Sequence, residues 1–198
     1  MAENEQRAGG KVNIVAIGAS AGGLRALTTV ISEFPTDFPV PTLVVQHLDP
    51  RHPSHLADIL DRHAVIRVVE ATDGQEVEAG VAYVAPPGRH MLLERSRIRL
   101  TTTQLVHFVR PSVDLLFESV AAAYGADALA VILTGSGSDG ALGIRAIKEK
   151  GGLTIVQDPQ DAESSGMPHA AIATGFVDSV LPLARIGREI VEAVIHRE

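Results

Sequence analysis

The strongest constraint on the fold is a rhythm in the chain. Short, largely apolar runs rich in β-branched residues alternate with longer stretches whose apolar residues recur every three or four positions. Residues 12–17, 42–46, 128–133 and 153–157 are runs of the first kind, and 128–133 is apolar throughout. Such a run suits a strand buried on both faces. Residues 22–34 place Leu24, Leu27, Thr28 and Ile31 on one helical face. Pro53 suits a first helical turn ahead of Leu56, Ile59, Leu60 and His63, and Ser112 suits an N-cap ahead of Val113, Leu116, Phe117 and Val120. Helices are also predicted over 141–150, from Pro168 to Gly175, and over 183–196, and further strands over 66–70 and 81–85. Alternating strands and helices imply parallel pairing, because a parallel partner is reached only through a long crossover. The predicted fold is therefore α/β, a three-layer α/β/α sandwich around a mainly parallel, doubly wound sheet. Residues 91–94 and 97–101 add a local antiparallel hairpin about Arg95-Ser96. Residues 1–11 are polar and read as a flexible N-terminal tail, and 12–198 as one domain.

Composition narrows the function. A chain of formal net charge -7, with no basic run longer than a few residues, is a poor binder of phosphate backbones, so no nucleic-acid partner is expected. With no cysteine, disulfides, thiolate metal sites and a thiol nucleophile are excluded. No apolar stretch approaches the ~20 residues of a membrane span, and the N-terminus lacks the apolar core of a signal peptide. The expectation is a cytoplasmic protein without membrane insertion.

In doubly wound sheets, function gathers beyond the C-terminal ends of strands. Three predicted strand ends carry suitable residues. The first, GASAGG at 18–23, fits G-x-S-x-G between a strand and a helix, with Ser20 at the apex. Taken alone, this segment has three readings: a nucleophile turn, a phosphate cradle at a helix N-terminus, or a plain helix cap. It does not match G-x-G-x-x-G, and no P-loop lysine follows. The second strand end carries His47, a natural general base because imidazole titrates near neutrality. Asp49, His52 and His55 lie close by, but their spacing is not that of a metal motif, and no metal site is expected. The third is the loop TGSGSDG at 134–140. Its Asp139 stands where a helix N-cap is expected, or it accepts the Nδ1–H of His47 and fixes the ring's tautomer. Backbone N–H groups of such a loop suit a developing oxyanion. Taken together, the three ends are expected to share one crevice, with Ser, His and Asp in that chain order. The common α/β-hydrolase order is Ser, Asp or Glu, His, so an ordinary member of that class is not indicated.

These residues lie in segments that resemble a known family. IGASAGG at 17–23, VVQHL at 44–48, RPSVDLLF at 110–117, LTGSGSDGA at 133–141, then Gln157-Asp158, GMP at 166–168 and AIA at 171–173 follow the pattern of CheB-type receptor methylesterases. The resemblance runs from about residue 12 to 186. It implies Ser20 as nucleophile, His47 as base, Asp139 as its orienting partner, and the backbone N–H groups of Ala21 and Ser136 as the oxyanion hole. It implies hydrolysis of glutamate methyl esters on methylated chemoreceptors or related signalling proteins, without a cofactor. In some members it extends to deamidation of receptor glutamines. Ala21 stands where many members carry Thr, and Ser136 where many carry Met. Both variants are similar to those in members fused to a receptor methyltransferase, which is therefore a candidate partner. The eleven residues before Val12 are too few for the receiver domain that usually precedes this catalytic domain. Two other classes stand as alternatives: a non-catalytic docking module, and a phosphate- or nucleotide-binding α/β protein.

Overall fold

The computed structural model describes residues 11–48 and 54–195. Nearly all of the expected tail, together with Asp49, His52, Pro53 and His196, lies outside the described residues.

Seven strands form one sheet: β1 (Ile14–Ala19), β2 (Thr42–Gln46), β3 (Arg67–Glu70), β4 (Val81–Val84), β7 (Ala128–Ile132), β8 (Leu153–Gln157) and β9 (Ser179–Leu181). Their order is β3-β4-β2-β1-β7-β8-β9, and every pairing is parallel. The hairpin of β5 (His90–Glu94) and β6 (Arg97–Thr101) pairs antiparallel but stands apart from the main sheet. It packs on α3 (Val113–Tyr124), where Ser119 Oγ accepts the Leu93 N–H at 2.9 Å.

Alternation along each strand sends successive side chains into two separate cores. Val15, Ile17 and Ala19 of β1 join α1 (Gly23–Ile31), α2 (Leu56–Asp61) and α6 (Leu183–Ile195) on one face. Ile14 and Ala16 join α3, α4 (Ala141–Glu149), α5 (Gly166–Ala173) and the hairpin on the other. The predicted three layers are thus present.

The sequence reading differs in detail. The first strand is Ile14–Ala19, two residues later than expected, because Gly18 and Ala19 continue the ladder against Val45 and Gln46. Helix α5 begins at Gly166 and carries Pro168 inside its first turn, where a missing N–H costs nothing. Strand β9 was not foreseen: three residues at a sheet edge are too short to show a period. No helix among the described residues is long and apolar enough to cross a membrane.

From β1 the chain fills one side through β2, the edge strand β3 and then β4 between them, and afterwards the other side through β7, β8 and β9. Strand order reverses at β1, and this is where a crevice opens at the C-terminal edge of such a sheet. Ser20, His47 and the 134–140 loop all follow strands that meet at this point.

Candidate active site

Ser20 leaves β1 in a turn held from both sides. Its N–H donates to Thr134 O at 3.0 Å, and its carbonyl accepts from Gln46 Nε2 at 2.7 Å. The turn ends at Gly22, whose φ of 78° few other residues adopt at little cost. Gly135 supplies a close approach: a Cβ there would stand 2.8 Å from the Ser20 Cβ and 2.2 Å from Met167 Sδ. Only a glycine lets the 134–140 loop lie against the serine.

His47 follows β2 and is tied to β1 by its own N–H, which donates to Ala19 O at 3.1 Å. Gln46 Nε2 also donates to the His47 carbonyl at 3.0 Å, so one side chain clamps both turns. The His47 side chain is 11% exposed, and its Nε2 lies 2.8 Å from Asp139 Oδ2. The sequence reading expected Nδ1 in this contact, and the structure corrects it. Ser20 is one strand away from His47, whereas Asp139 follows β7, two strands away. The nitrogen at the tip of the ring makes the longer reach and leaves Nδ1 without a partner among the described residues. Nor is there a hydrogen bond between Ser20 Oγ and the imidazole among those residues.

Asp139 is 3% exposed and accepts four donors. Ser112 Oγ and the Asp114 N–H reach Oδ1 at 2.8 and 3.1 Å, and the Val113 N–H and His47 reach Oδ2 at 2.6 and 2.8 Å. Burial pushes the carboxyl pKa up, but the His47 bond, the two backbone N–H groups and the His47 charge together outweigh it and hold it below the usual value. Asp139 was also expected to suit a cap on the helix that follows it. That helix, α4, has Gly140 as its N-cap and no side-chain cap there. Asp139 instead satisfies the N-terminus of α3.

The arrangement is reciprocal. Asp114, in the first turn of α3, accepts the N–H groups of Gly140 and Gly143 at 2.9 and 2.8 Å, so it serves the start of α4. Its second oxygen lies 3.2 Å from His107 Nε2. Burial, foremost, and the nearby charge of Asp139 raise the Asp114 pKa, against the N–H groups of Gly143 and Gly140. Two buried carboxylates thus lock two helices together and fix the one that holds His47. Sequence reasoning gave Ser112 only a capping role and Asp114 none. An acidic residue in a first turn reads as ordinary dipole complement, with nothing local to show which helix it serves.

Ala21 follows Ser20 in its turn, and Ser136 follows Gly135, which lies against Ser20. Neither backbone N–H forms a hydrogen bond among the described residues, whereas the Ala21 carbonyl accepts from Thr134 Oγ1 at 2.9 Å. Ser136 Oγ lies 3.0 Å from Ser164 Oγ. His55 pairs weakly with Asp58 at 3.6 Å. His107, Asp114 and Asp139 bring potential ligand atoms within 4.8 Å of one another. The carboxylate oxygens of that group are already occupied by N–H and O–H donors, which describes a capping network rather than a metal pocket.

Fold and site define a doubly wound α/β protein with a buried histidine–carboxylate pair beside a serine turn at the sheet's switch point. The profile of the CheB methylesterase family matches residues 15–190. A crystal structure of the Thermotoga maritima CheB methylesterase catalytic domain superimposes with a TM-score of 0.87 at 37% identity, covering 92% of this chain and 99% of that one. A Leptospira interrogans protein, provisionally assigned as a protein-glutamate methylesterase/protein-glutamine glutaminase, is 42% identical over 87% of this chain and 90% of its own. An Archaeoglobus fulgidus protein-glutamate methylesterase/protein-glutamine glutaminase is 43% identical over 89% of this chain, which spans 52% of that protein. The chain belongs to the CheB methylesterase family.

Proposed function

We propose that this chain is a protein-glutamate methylesterase acting on methylated chemoreceptors or related signalling polypeptides through an acyl-serine intermediate. Ser20 Oγ attacks the ester carbonyl while His47 takes its proton, and Asp139 holds the ring and balances the imidazolium charge. The free N–H groups of Ala21 and Ser136 stabilise the oxyanion. Methoxide leaves and takes the proton from His47 as methanol. Water, activated by the same ring, then attacks the acyl group, and Ser20 leaves with that proton, releasing the glutamate side chain. Glutamine would follow the same course with ammonia as leaving group.

The observation that carries this reading is the 2.8 Å contact of His47 with a carboxylate that three further donors keep ionised. A phosphate cradle at the Ser20 turn has no use for such a pair. The bond from Ser20 to the free Nδ1 is expected to form with substrate, since catalytic hydrogen bonds often tighten only in the complex. The reading is tested by rapid acid quench of the protein with an esterified glutamyl peptide, followed by peptide mass analysis. The peptide mass, less methanol, is expected on Ser20. Methanol release with no adduct on any residue, or an adduct elsewhere, contradicts the role of Ser20.

A further inference from the structure

Between β6 and α3 the chain makes a turn that the esterase chemistry leaves unused. Val106 and Val109 exchange backbone hydrogen bonds at 3.2 and 2.9 Å, with His107 and Phe108 between them. Both central residues are left-handed, at φ 49° and 64°. Glycine and asparagine take such positions readily, and a bulky aromatic does so at a cost. The Phe108 side chain is 94% exposed. Neither backbone preference nor core packing therefore accounts for phenylalanine at this place.

The turn is also firmly anchored. His107 pairs with Asp114, and Arg110 Nη1 donates to the carbonyls of Thr102 and Thr103 at 3.0 and 2.7 Å. Because Asp114 locks α3 to α4 beside Asp139, the turn has a fixed position relative to His47. Next to it lies a cavity of about 150 Å³ whose walls include His47, Leu48, Leu105, Phe108, Val109 and Pro111. Leu105 is itself 55% exposed. A single exposed apolar side chain is ordinary, but here two, Leu105 and Phe108, stand beside half-buried Leu48 and Val109 on a cavity that also borders the imidazole, which is a feature of a binding surface. The cavity has room for a side chain, not for a length of polypeptide.

The geometry points to Phe108 as a substrate-specificity residue: with Leu48 and Leu105 it packs against an apolar side chain flanking the esterified glutamate of a substrate polypeptide. This rests on the methylesterase reading above. A helical segment meets the requirement directly, since residues three and four positions from the glutamate share its face.

The test uses two synthetic helical peptides, each with one glutamate γ-methyl ester. One carries leucines three and four residues to either side, and its twin carries alanines. Methanol release is measured with the wild-type protein, Phe108→Ala, Phe108→Asn and Phe108→Leu. Asparagine suits the left-handed backbone, so it removes the ring and keeps the turn. The wild-type protein is expected to favour the leucine peptide by about 10- to 100-fold in kcat/KM, the scale of one buried apolar side chain. Phe108→Ala and Phe108→Asn abolish that preference through KM and leave the alanine peptide within about twofold of wild type, while Phe108→Leu retains most of it. A preference that survives in both short variants, or an equal loss on both peptides, overturns the assignment. No methanol from either peptide with the wild-type protein contradicts the esterase reading itself, and the assignment falls with it.

Discussion

At the scale of the residue, Asp139 has two tasks, and its variants separate them. Asp139→Asn replaces one acceptor oxygen with an NH₂ group facing donors that have no other partner, the Val113 N–H or Ser112 Oγ. Turnover is expected to fall by about 10⁴, because the amide no longer enforces the tautomer or balances the imidazolium. Stability should fall as well, by about 1–3 kcal/mol, the cost of leaving a buried donor unsatisfied. Kinetics and urea unfolding on one preparation check both. The stability loss has a defined pH dependence. The folded pKa of Asp139 lies below its unfolded value, so its contribution is complete above the ordinary Asp pKa and is lost as pH falls through the depressed one. The difference between wild type and Asp139→Asn should therefore shrink on acidification below about pH 4.

At the scale of the element, the lock between α3 and α4 depends on Asp114. Asp114→Ala strands the N–H groups of Gly140 and Gly143 and is expected to cost about 2 kcal/mol, within the range for a lost helix cap. Asp114→Asn, which keeps one acceptor oxygen, should recover more than half of that in urea titrations. This lock shows where sequence reading stops. Strands at 42–46 and 153–157 were legible to the residue, because five-residue runs rich in β-branched residues, preceded by Pro41 and Gly152, are too short for helices. Ser20 and Asp139 were legible in glycine-rich loops after strands, and His47 as the imidazole at the end of a buried strand. The cross-capping was not, because a cap is normally sought on the helix that follows it, and here each carboxylate serves the other helix. The nitrogen facing Asp139 was likewise hidden: it depends on strand order, β2-β1-β7, and not on local spacing. The Val106–Val109 turn gave no warning either, since it lacks the Asn-Gly or Gly-Gly that usually marks one.

At the scale of the whole molecule, titration of a buried histidine outside the site shapes acid stability. His90 is fully buried at the start of β5, with Nε2 2.9 Å from Gln104 O and Nδ1 unpartnered. Burial, foremost, lowers its pKa, and the charge of Arg110 adds to this. Below the ordinary histidine pKa of about 6.5 the unfolded chain takes up a proton that the folded chain refuses. Stability should accordingly fall as pH drops from 6.5 toward 5, and His90→Gln should flatten that slope relative to wild type in thermal or urea unfolding. The sheet, the two cores and the helix lock all converge on one demand, that a serine, an imidazole and an anion share the edge where β2, β1 and β7 end. The most direct test is methanol release from a glutamate methyl ester peptide by the wild-type protein and by folded Ser20→Ala. Ser20→Ala is expected to lose about 10⁶ in turnover, below detection, while its unfolding curve overlays that of wild type. Turnover by Ser20→Ala within tenfold of wild type would contradict the account, because the bond-making atom would then lie elsewhere.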